Sequence, residues 1–228
     1  MSYSLESIIH EVKDRLKIPL ELYVKIASYV RDMLGLDTAG HGWLHVERVC
    51  RSAIRIASIE GGDLDTILLA ALLHDIAILR EVYEGIDHAE EGAKIACSVL
   101  EDLGIPSDII EKVVYAIRVH RFGASITPGT IEACILQDAD RLDALGAIGV
   151  ARAFAYGGFR SLPMYLPGEK PSAYDPFKLK STFTHFHEKL LKLKDYMNTE
   201  TARKIAEDRH RFILIFLERF LDEVEGRV

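Results

Sequence analysis

Residues 67–79 read ILLAALLHDIAIL, an aliphatic run that is interrupted only by the adjacent pair His74-Asp75. Aspartate is rarely buried unless a partner compensates its charge, because an isolated carboxylate in an apolar medium is costly. A histidine beside an aspartate offers one nitrogen and one oxygen ligand, so a bound divalent cation is an economical solution. The simpler interpretation is a His-Asp pair at a helix end that is hydrogen-bonded to the backbone.

The composition limits the class of protein. The 228 residues are 49% hydrophobic, which is enough for one full core, and we expect a single domain over residues 1–228. The formal net charge of −7 argues against a nucleic-acid polymer or an anionic membrane as partner. Cys50, Cys97 and Cys134 are scattered among aliphatic residues, as in a reduced cytoplasmic protein. The sequence shows neither a signal peptide nor an apolar run of about 18 residues.

Apolar residues recur with the period of a helix along most of the chain, and no segment alternates as a strand would, so we predict an all-α fold. Asp63 is a good N-cap for the helix that contains the opening stretch, and residues 80–87 read as a loop. Residues 131–156 read as one long buried helix, and 157–174, rich in Gly and Pro, as a lid or binding segment. The other predicted helices are 3–17, 20–34, 43–59, 88–103, 107–120, 176–197 and 199–224.

Further clusters bear on the His74-Asp75 pair. His41 and His45 are four residues apart, so both point from one face if that region is helical. Residues 137–143, QDADRLD, place three carboxylates in an otherwise apolar helix, where they need a cation or a hydrogen-bond network. His88 and His120 stand singly at a predicted helix start and helix end.

Each cluster also has a purely structural interpretation. His41 could cap the turn at Gly42, and His88 could be a surface residue at a helix start. A charged His120 at a helix C-terminus would be favoured by the macrodipole. Asp143 could be paired with Arg141 or Arg152. Taken together, two histidines and two aspartates from separate helices instead make a mixed nitrogen and oxygen site that suits Mn, Fe, Mg, Ni or Zn.

The order His, His-Asp, Asp resembles the HD-domain metal-dependent phosphohydrolase superfamily. Three local motifs carry the resemblance, which spans about residues 40–155: HVERV at 45–49, AALLHDI at 70–76 and DADRLDA at 138–144. The whole chain is similar to small stand-alone members, some of which are nucleotide pyrophosphohydrolases. The resemblance implies an α-helical bundle with a central metal whose ligands are His45, His74, Asp75 and Asp140.

The resemblance also implies a function, hydrolysis of a phosphate ester or anhydride of a nucleotide by metal-activated water. The expected cofactor is a divalent ion, Mn, Fe, Mg, Ni or Co, and the oligomeric state is open, with a homodimer as one option. Around the catalytic pair His74 and Asp75 we expect Glu81 to transfer a proton and Arg48 to contact phosphate. The predicted substrate-binding residues are Arg121, His120, His88 and His41.

Three alternatives remain at this point. In dinuclear branches of the superfamily two extra histidines hold a second metal, and His88 and His120 are the candidates here. A di-iron oxygenase on the same fold would use the same pair. A non-catalytic nucleotide-sensing protein is the third alternative, and the complete ligand set argues against it.

Overall fold

The computed structural model describes residues 5–35, 40–121, 127–175 and 178–228. Across these ranges the chain is all-α and forms no strand, which confirms the predicted fold class. Within them no helix has both the length and the apolar character that crossing a bilayer requires. The chain divides into two compact units, Met1–Asp37 with His41–Ala139, and Thr38–Gly40 with Asp140–Val228.

The first unit is organised around a central helix, α4 (Leu64–Leu73), all of whose residues are buried. Helices α3 (Trp43–Glu60) and α7 (Ser107–Val119) pack against it, and α6 (His88–Asp102) packs against α7. The helices of this unit are α1 (Leu5–Val12), α2 (Leu20–Leu34), α3 (Trp43–Glu60), α4 (Leu64–Leu73), α5 (Ile78–Glu84), α6 (His88–Asp102), α7 (Ser107–Val119) and most of α8 (Ile131–Asp143), with a 3₁₀ turn at Lys13–Arg15.

The first turn of α4 carries a second buried acid, Asp65, which the sequence analysis did not single out. Its carboxylate accepts hydrogen bonds from the backbone N–H groups of Lys17 (3.1 and 3.2 Å) and Ile18 (3.1 Å) and from the Tyr23 hydroxyl (2.6 Å). Donors therefore surround this acid, whereas histidines surround Asp75. Asp63 caps the same helix by accepting from the Thr66 N–H, as predicted.

The opening stretch is not one helix, which corrects the sequence prediction. Helix α4 ends at Leu73, a turn runs through His74 to Ala77, and α5 then occupies most of the predicted loop at 80–87. The His74 ring is the physical reason, because its Nδ1 donates to the Ala71 carbonyl 2.9 Å away at the helix end. The His-Asp pair therefore lies just beyond a helix C-terminus, where the simpler interpretation also placed it.

The predicted long helix at 131–156 is also divided, into α8 and α9 (Gly146–Phe159). Arg209, far along the chain, donates from Nη1 to the Leu142 carbonyl at 2.5 Å and so takes an acceptor at the end of α8. Gly146 has a φ of +70°, a left-handed conformation that glycine adopts without a Cβ penalty. The apolar pattern continues across this break, so it did not reveal it.

The second unit contains α9, α10 (Thr182–Glu188), a 3₁₀ helix (Leu190–Tyr196) and α11 (Glu200–Val224). The predicted helix at 176–197 is therefore shorter and partly 3₁₀, and residues 176–177 lie outside the described part. The predicted loop at 157–174 begins only after Phe159. It is fastened to α10, because the Ser172 N–H and hydroxyl both donate to buried Glu188 at 2.9 Å. Its proposed role as a lid remains a prediction.

Gly149→Ala is expected to lower the free energy of unfolding by about 2 kcal/mol, because overpacking forces the backbone to shift. A Cβ at Gly149 would lie 2.3 Å from the Ala144 carbonyl oxygen, in the connection between α8 and α9. Gly158→Ala is the matched control in the same helix, since nothing lies within 4 Å of its added Cβ. We expect that control to be stabilising by about 0.5–1 kcal/mol. Urea unfolding measures both, and equal stability of the two variants would contradict the prediction.

Candidate metal centre

The carboxylate of Asp75 is buried, and histidine nitrogens face both of its oxygens. The shortest of these distances, 3.2 Å, joins Oδ2 to His41 Nδ1. The remaining distances to Oδ2 are 3.5 Å from His45 Nε2 and 3.6 Å from His74 Nε2, and those to Oδ1 are 3.6 Å from both His88 Nε2 and His120 Nε2. The two oxygens of one acid thus face two different sets of histidines.

Hydrogen bonds on the outer side of three of these rings determine where their protons lie. His74 Nδ1 faces the Ala71 carbonyl at 2.9 Å, and His120 Nδ1 faces the Ile117 carbonyl at 2.6 Å. His88 Nδ1 faces the carboxylate of Glu81. A carbonyl or carboxylate oxygen only accepts, so each Nδ1 must carry the proton. In the neutral rings Nε2 then carries a lone pair directed toward Asp75.

The inward nitrogens also face one another. His45 Nε2 lies 3.2 Å from His74 Nε2, and His88 Nε2 lies 3.3 Å from His120 Nε2. Because both Nδ1 atoms of His88 and His120 carry protons, their Nε2 lone pairs face each other and a carboxylate, and they repel unless a cation lies among them. Neutral imidazole nitrogens and a carboxylate are the donors that divalent transition metals prefer. The residues present therefore fit a metal ion.

Two groups of ligand atoms in the first unit are close enough to hold an ion. Within each group the atoms lie within 4.8 Å of one another. One group is His41, His45 and Asp75, and the other is Asp75, His88 and His120. Asp75 belongs to both groups, which therefore define two candidate subsites, a first at Oδ2 and a second at Oδ1.

The electrostatics of the pocket keep Asp75 ionised. Burial alone would raise the pKa of its carboxyl group, but the surrounding histidines, His74 first and then His120, His41 and His45, outweigh burial and hold that pKa well below its usual range. His74 and His120 also occupy the C-terminal ends of α4 and α7. Helix C-termini carry partial negative charge and favour a cation, which adds to the attraction of the carboxylate.

An outer layer of charged residues supports His88. The Glu81 carboxylate accepts from the His88 ring and from its backbone N–H at 3.2 Å. Arg121 donates to Glu81 at 2.9 Å and to Asp87 at 2.6 Å. Asp87 in turn caps α6 by accepting from the Ala89 and Glu90 N–H groups. Both ends of the Arg121 guanidinium are therefore engaged by carboxylates.

Comparison with known proteins identifies the family of this chain. Residues 42–145 match the HD domain family. The uncharacterized protein YpgQ of Bacillus subtilis (strain 168) is 34% identical over 210 residues, covering 89% of this chain and 93% of YpgQ. The chain belongs to the HD-domain superfamily.

Solved structures extend the comparison. An HD-superfamily hydrolase from Bacillus thuringiensis is 40% identical, with a TM-score of 0.71 and coverage of 90% of this chain and 97% of that one. The crystal structure of B. subtilis YpgQ in complex with ADP is 31% identical, with a TM-score of 0.70 and coverage of 90% and 98%. These likenesses support a hydrolase. HD domains bind divalent metals, and this chain has histidine-aspartate clusters that could hold one.

Three further residues from the sequence prediction are Arg48, Asp140 and Asp143. Arg48 is half-buried on α3, one turn beyond His45. Asp140 is half-buried in the last turn of α8 and belongs to the second unit, so its role as a metal ligand stays a prediction. Asp143 is buried and paired with Arg152 at 2.7 Å, as one interpretation of the sequence had it.

Sequence reasoning missed Asp87 and the carbonyls of Ala71 and Ile117. Asp87 precedes the predicted helix start at His88, so its role as N-cap could have been found from the sequence. The contact of Asp87 with Arg121, 34 residues away, could not have been found from the sequence. The carbonyls have no sequence signal, because every residue carries one and only the course of the backbone selects which faces a histidine.

Proposed function

We propose that this HD-domain protein is a metal-dependent phosphohydrolase that acts on a nucleotide. The observation that carries the proposal is the convergence of histidine Nε2 atoms, with their protons held on Nδ1, upon the ionised and buried Asp75. His45, His74 and Asp75 are the proposed ligands of the first subsite. The resemblance of DADRLDA to the closing family motif adds Asp140 as a further ligand.

A divalent cation held there would lower the pKa of a bound water and polarise a phosphoryl oxygen. The protein's own contribution is orientation. The Ala71 carbonyl fixes the His74 ring, and the carboxylate of Asp75 supplies negative charge to the centre of the site. Arg48, one turn from His45, is the proposed phosphate contact, because a guanidinium matches phosphate oxygens geometrically.

We assign His88 and His120 to a second cation subsite with Asp75 Oδ1 instead of to substrate binding. Their Nε2 atoms lie 3.3 Å apart and each is 3.6 Å from Oδ1, so both rings point inward. His41 has a side chain that is 40% exposed and touches Oδ2 at 3.2 Å. It is the histidine of the cluster best placed to meet both the cation and an incoming phosphate.

A nucleotide is the proposed substrate because YpgQ, which the chain resembles over nearly its full length, has a crystal structure in complex with ADP. The test is metal analysis of the purified protein, followed by a screen of nucleoside mono-, di- and triphosphates with Mn²⁺, Mg²⁺, Co²⁺ and Fe²⁺. Phosphate and pyrophosphate are read separately. We expect metal-dependent release of one of them. Tight nucleotide binding without turnover under every metal would instead favour a nucleotide-sensing role.

A di-iron oxygenase is also consistent with the second subsite, because a pair of irons would use the same histidines. Metal stoichiometry does not separate that alternative from a dinuclear hydrolase. Oxygen consumption does, since hydrolysis requires none. Turnover that persists without oxygen supports the phosphohydrolase, and turnover that stops without oxygen supports the oxygenase.

Mn²⁺ is expected to raise the melting temperature by about 5–10 °C at a hundred times its Kd, because a ligand specific to the native state adds about 2.7 kcal/mol. Chelation should reverse the shift. His74→Ala should remove most of it, because the variant lacks a ring that belongs to the first subsite. Differential scanning calorimetry with and without Mn²⁺ measures both proteins, and an equal shift in the variant would exclude His74 as a ligand.

A further inference from the structure

His88 differs from His74 and His120 in what holds its outer nitrogen. Backbone carbonyls at the ends of α4 and α7 orient His74 and His120. The outer partner of His88 is a side chain, Glu81, which lies on the neighbouring helix α5. Orientation by a carbonyl is a property of the fold, whereas orientation by a side chain depends on one residue and can be removed by substitution.

Glu81 is in turn held by a second side chain. One carboxylate oxygen of Glu81 accepts from the ring and backbone of His88, and the other accepts from Arg121 at 2.9 Å. Arg121 also binds Asp87, the residue immediately before His88. These hydrogen bonds form a network, called the clasp below, that joins α5, the start of α6 and the end of α7. Its members are Asp87, Arg121, Glu81 and His88.

We propose that Glu81 and Arg121 are positioning residues for the second cation subsite and leave the first subsite unaffected. The inference rests on the proposed function of the centre as a metal site. A carboxylate that accepts from the outer N–H of a ligating histidine fixes its tautomer and raises its basicity, and such partners contribute about 10–100-fold to metal affinity. The clasp orients the His88 ring, whereas the backbone carbonyl of Ala71 orients the His74 ring.

Because only Glu81 contacts His88, we expect Glu81 and Arg121 to contribute unequally to the affinity for the second ion. Glu81 touches the ligand itself, so Glu81→Gln should weaken the second ion most. A glutamine can accept from His88 only by turning its NH₂ group toward the Arg121 guanidinium, so one of the two contacts is lost. Arg121→Met leaves the contact between Glu81 and His88 in place and removes only its outer support, so we expect a smaller loss.

The test measures Mn²⁺ binding to the full chain, by equilibrium dialysis with metal analysis and by low-temperature EPR. Glu84→Gln is the matched control, since Glu84 lies on the same helix, undergoes the same charge change and contacts Arg80 instead of a histidine. We expect two bound ions with an exchange-coupled spectrum in the wild type and in Glu84→Gln. Glu81→Gln should keep one ion with an uncoupled spectrum, and its second-ion Kd should rise by about 10–100-fold.

The outcomes separate this inference from the proposed function. A second-ion Kd in Glu81→Gln equal to that of the wild type would overturn the inference, as would a wild type that binds only one ion. Loss of both ions in Glu81→Gln, with helix content unchanged by circular dichroism, would overturn the claim that the two subsites are independent. If the expected binding pattern holds but no nucleotide is hydrolysed, the inference stands and the proposed function fails.

Discussion

Asp75→Asn is expected to abolish binding of both cations and to reduce hydrolysis by at least about a thousandfold, since metal catalysis supplies several kcal/mol and each 1.36 kcal/mol is tenfold in rate. Both oxygens of Asp75 face histidines, and its carboxylate would offset the charge of a cation in either proposed subsite. The amide is nearly the same shape but is neutral. It would also turn an NH₂ group toward one set of histidines or the other.

The measurement is metal content and turnover of the variant beside Asp65→Asn, the matched control. Asp65 is also a buried acid and precedes Asp75 by ten residues, but its partners are backbone N–H groups and a tyrosine hydroxyl. We expect Asp65→Asn to keep its metal and its activity per folded molecule. An Asp75→Asn protein with full metal occupancy would show that the carboxylate is not a ligand.

Asp65→Ala is expected to lower the free energy of unfolding by about 3–5 kcal/mol, the largest effect on stability that we predict. The substitution leaves the N–H group of Ile18 and the hydroxyl of Tyr23 without their acceptor in the interior, and it also removes the acceptor of the partly buried Lys17 N–H. Buried donors that lose their partner bear the full cost of desolvation. The connection between α1 and α2 would lose its attachment to α4.

Urea unfolding of Asp65→Ala and Tyr23→Phe tests this prediction. Tyr23→Phe removes a single donor from the cluster and should lower the free energy of unfolding by about 1–2 kcal/mol. Asp63→Ala, which removes an N-cap two residues away, should lower it by about 1 kcal/mol. Near-equal values for Asp65→Ala and Asp63→Ala would mean that the buried carboxylate contributes no more than a helix cap.

The helices that the sequence predicted best are those with signals close together in the chain. Helix α2 has the predicted bounds, and α3 and α6 agree within a residue or so. Apolar periodicity and the Asp63 cap both act within a few residues, so a local pattern suffices to detect them. The His74-Asp75 pair was predicted as a candidate site for the same reason, because an acid within an aliphatic run is visible in one short window.

The errors lie where a side chain acts on the backbone, in some cases from a distant position in the chain. The break between α8 and α9 depends on Arg209 reaching Leu142, 67 positions earlier. The end of α4 depends on the rotamer of the His74 ring, and the anchoring of Asp65 on the course of the chain at residues 17–18. A hydrophobic pattern contains none of these contacts, since it records which residues are buried and not which donors meet which acceptors.

By itself the sequence determined the all-α class and most helices, and it singled out the candidate site residues around His74 and Asp75. Burial preference and helical period are properties of a residue and its near neighbours, so they can be read without coordinates. Only the tertiary structure divided the histidines into two sets, assigned each set to one oxygen of Asp75, and showed Glu81 and Arg121 to be outer partners of His88. That arrangement depends on distances between helices far apart in the chain, and directional hydrogen bonds set it only after the helices have packed.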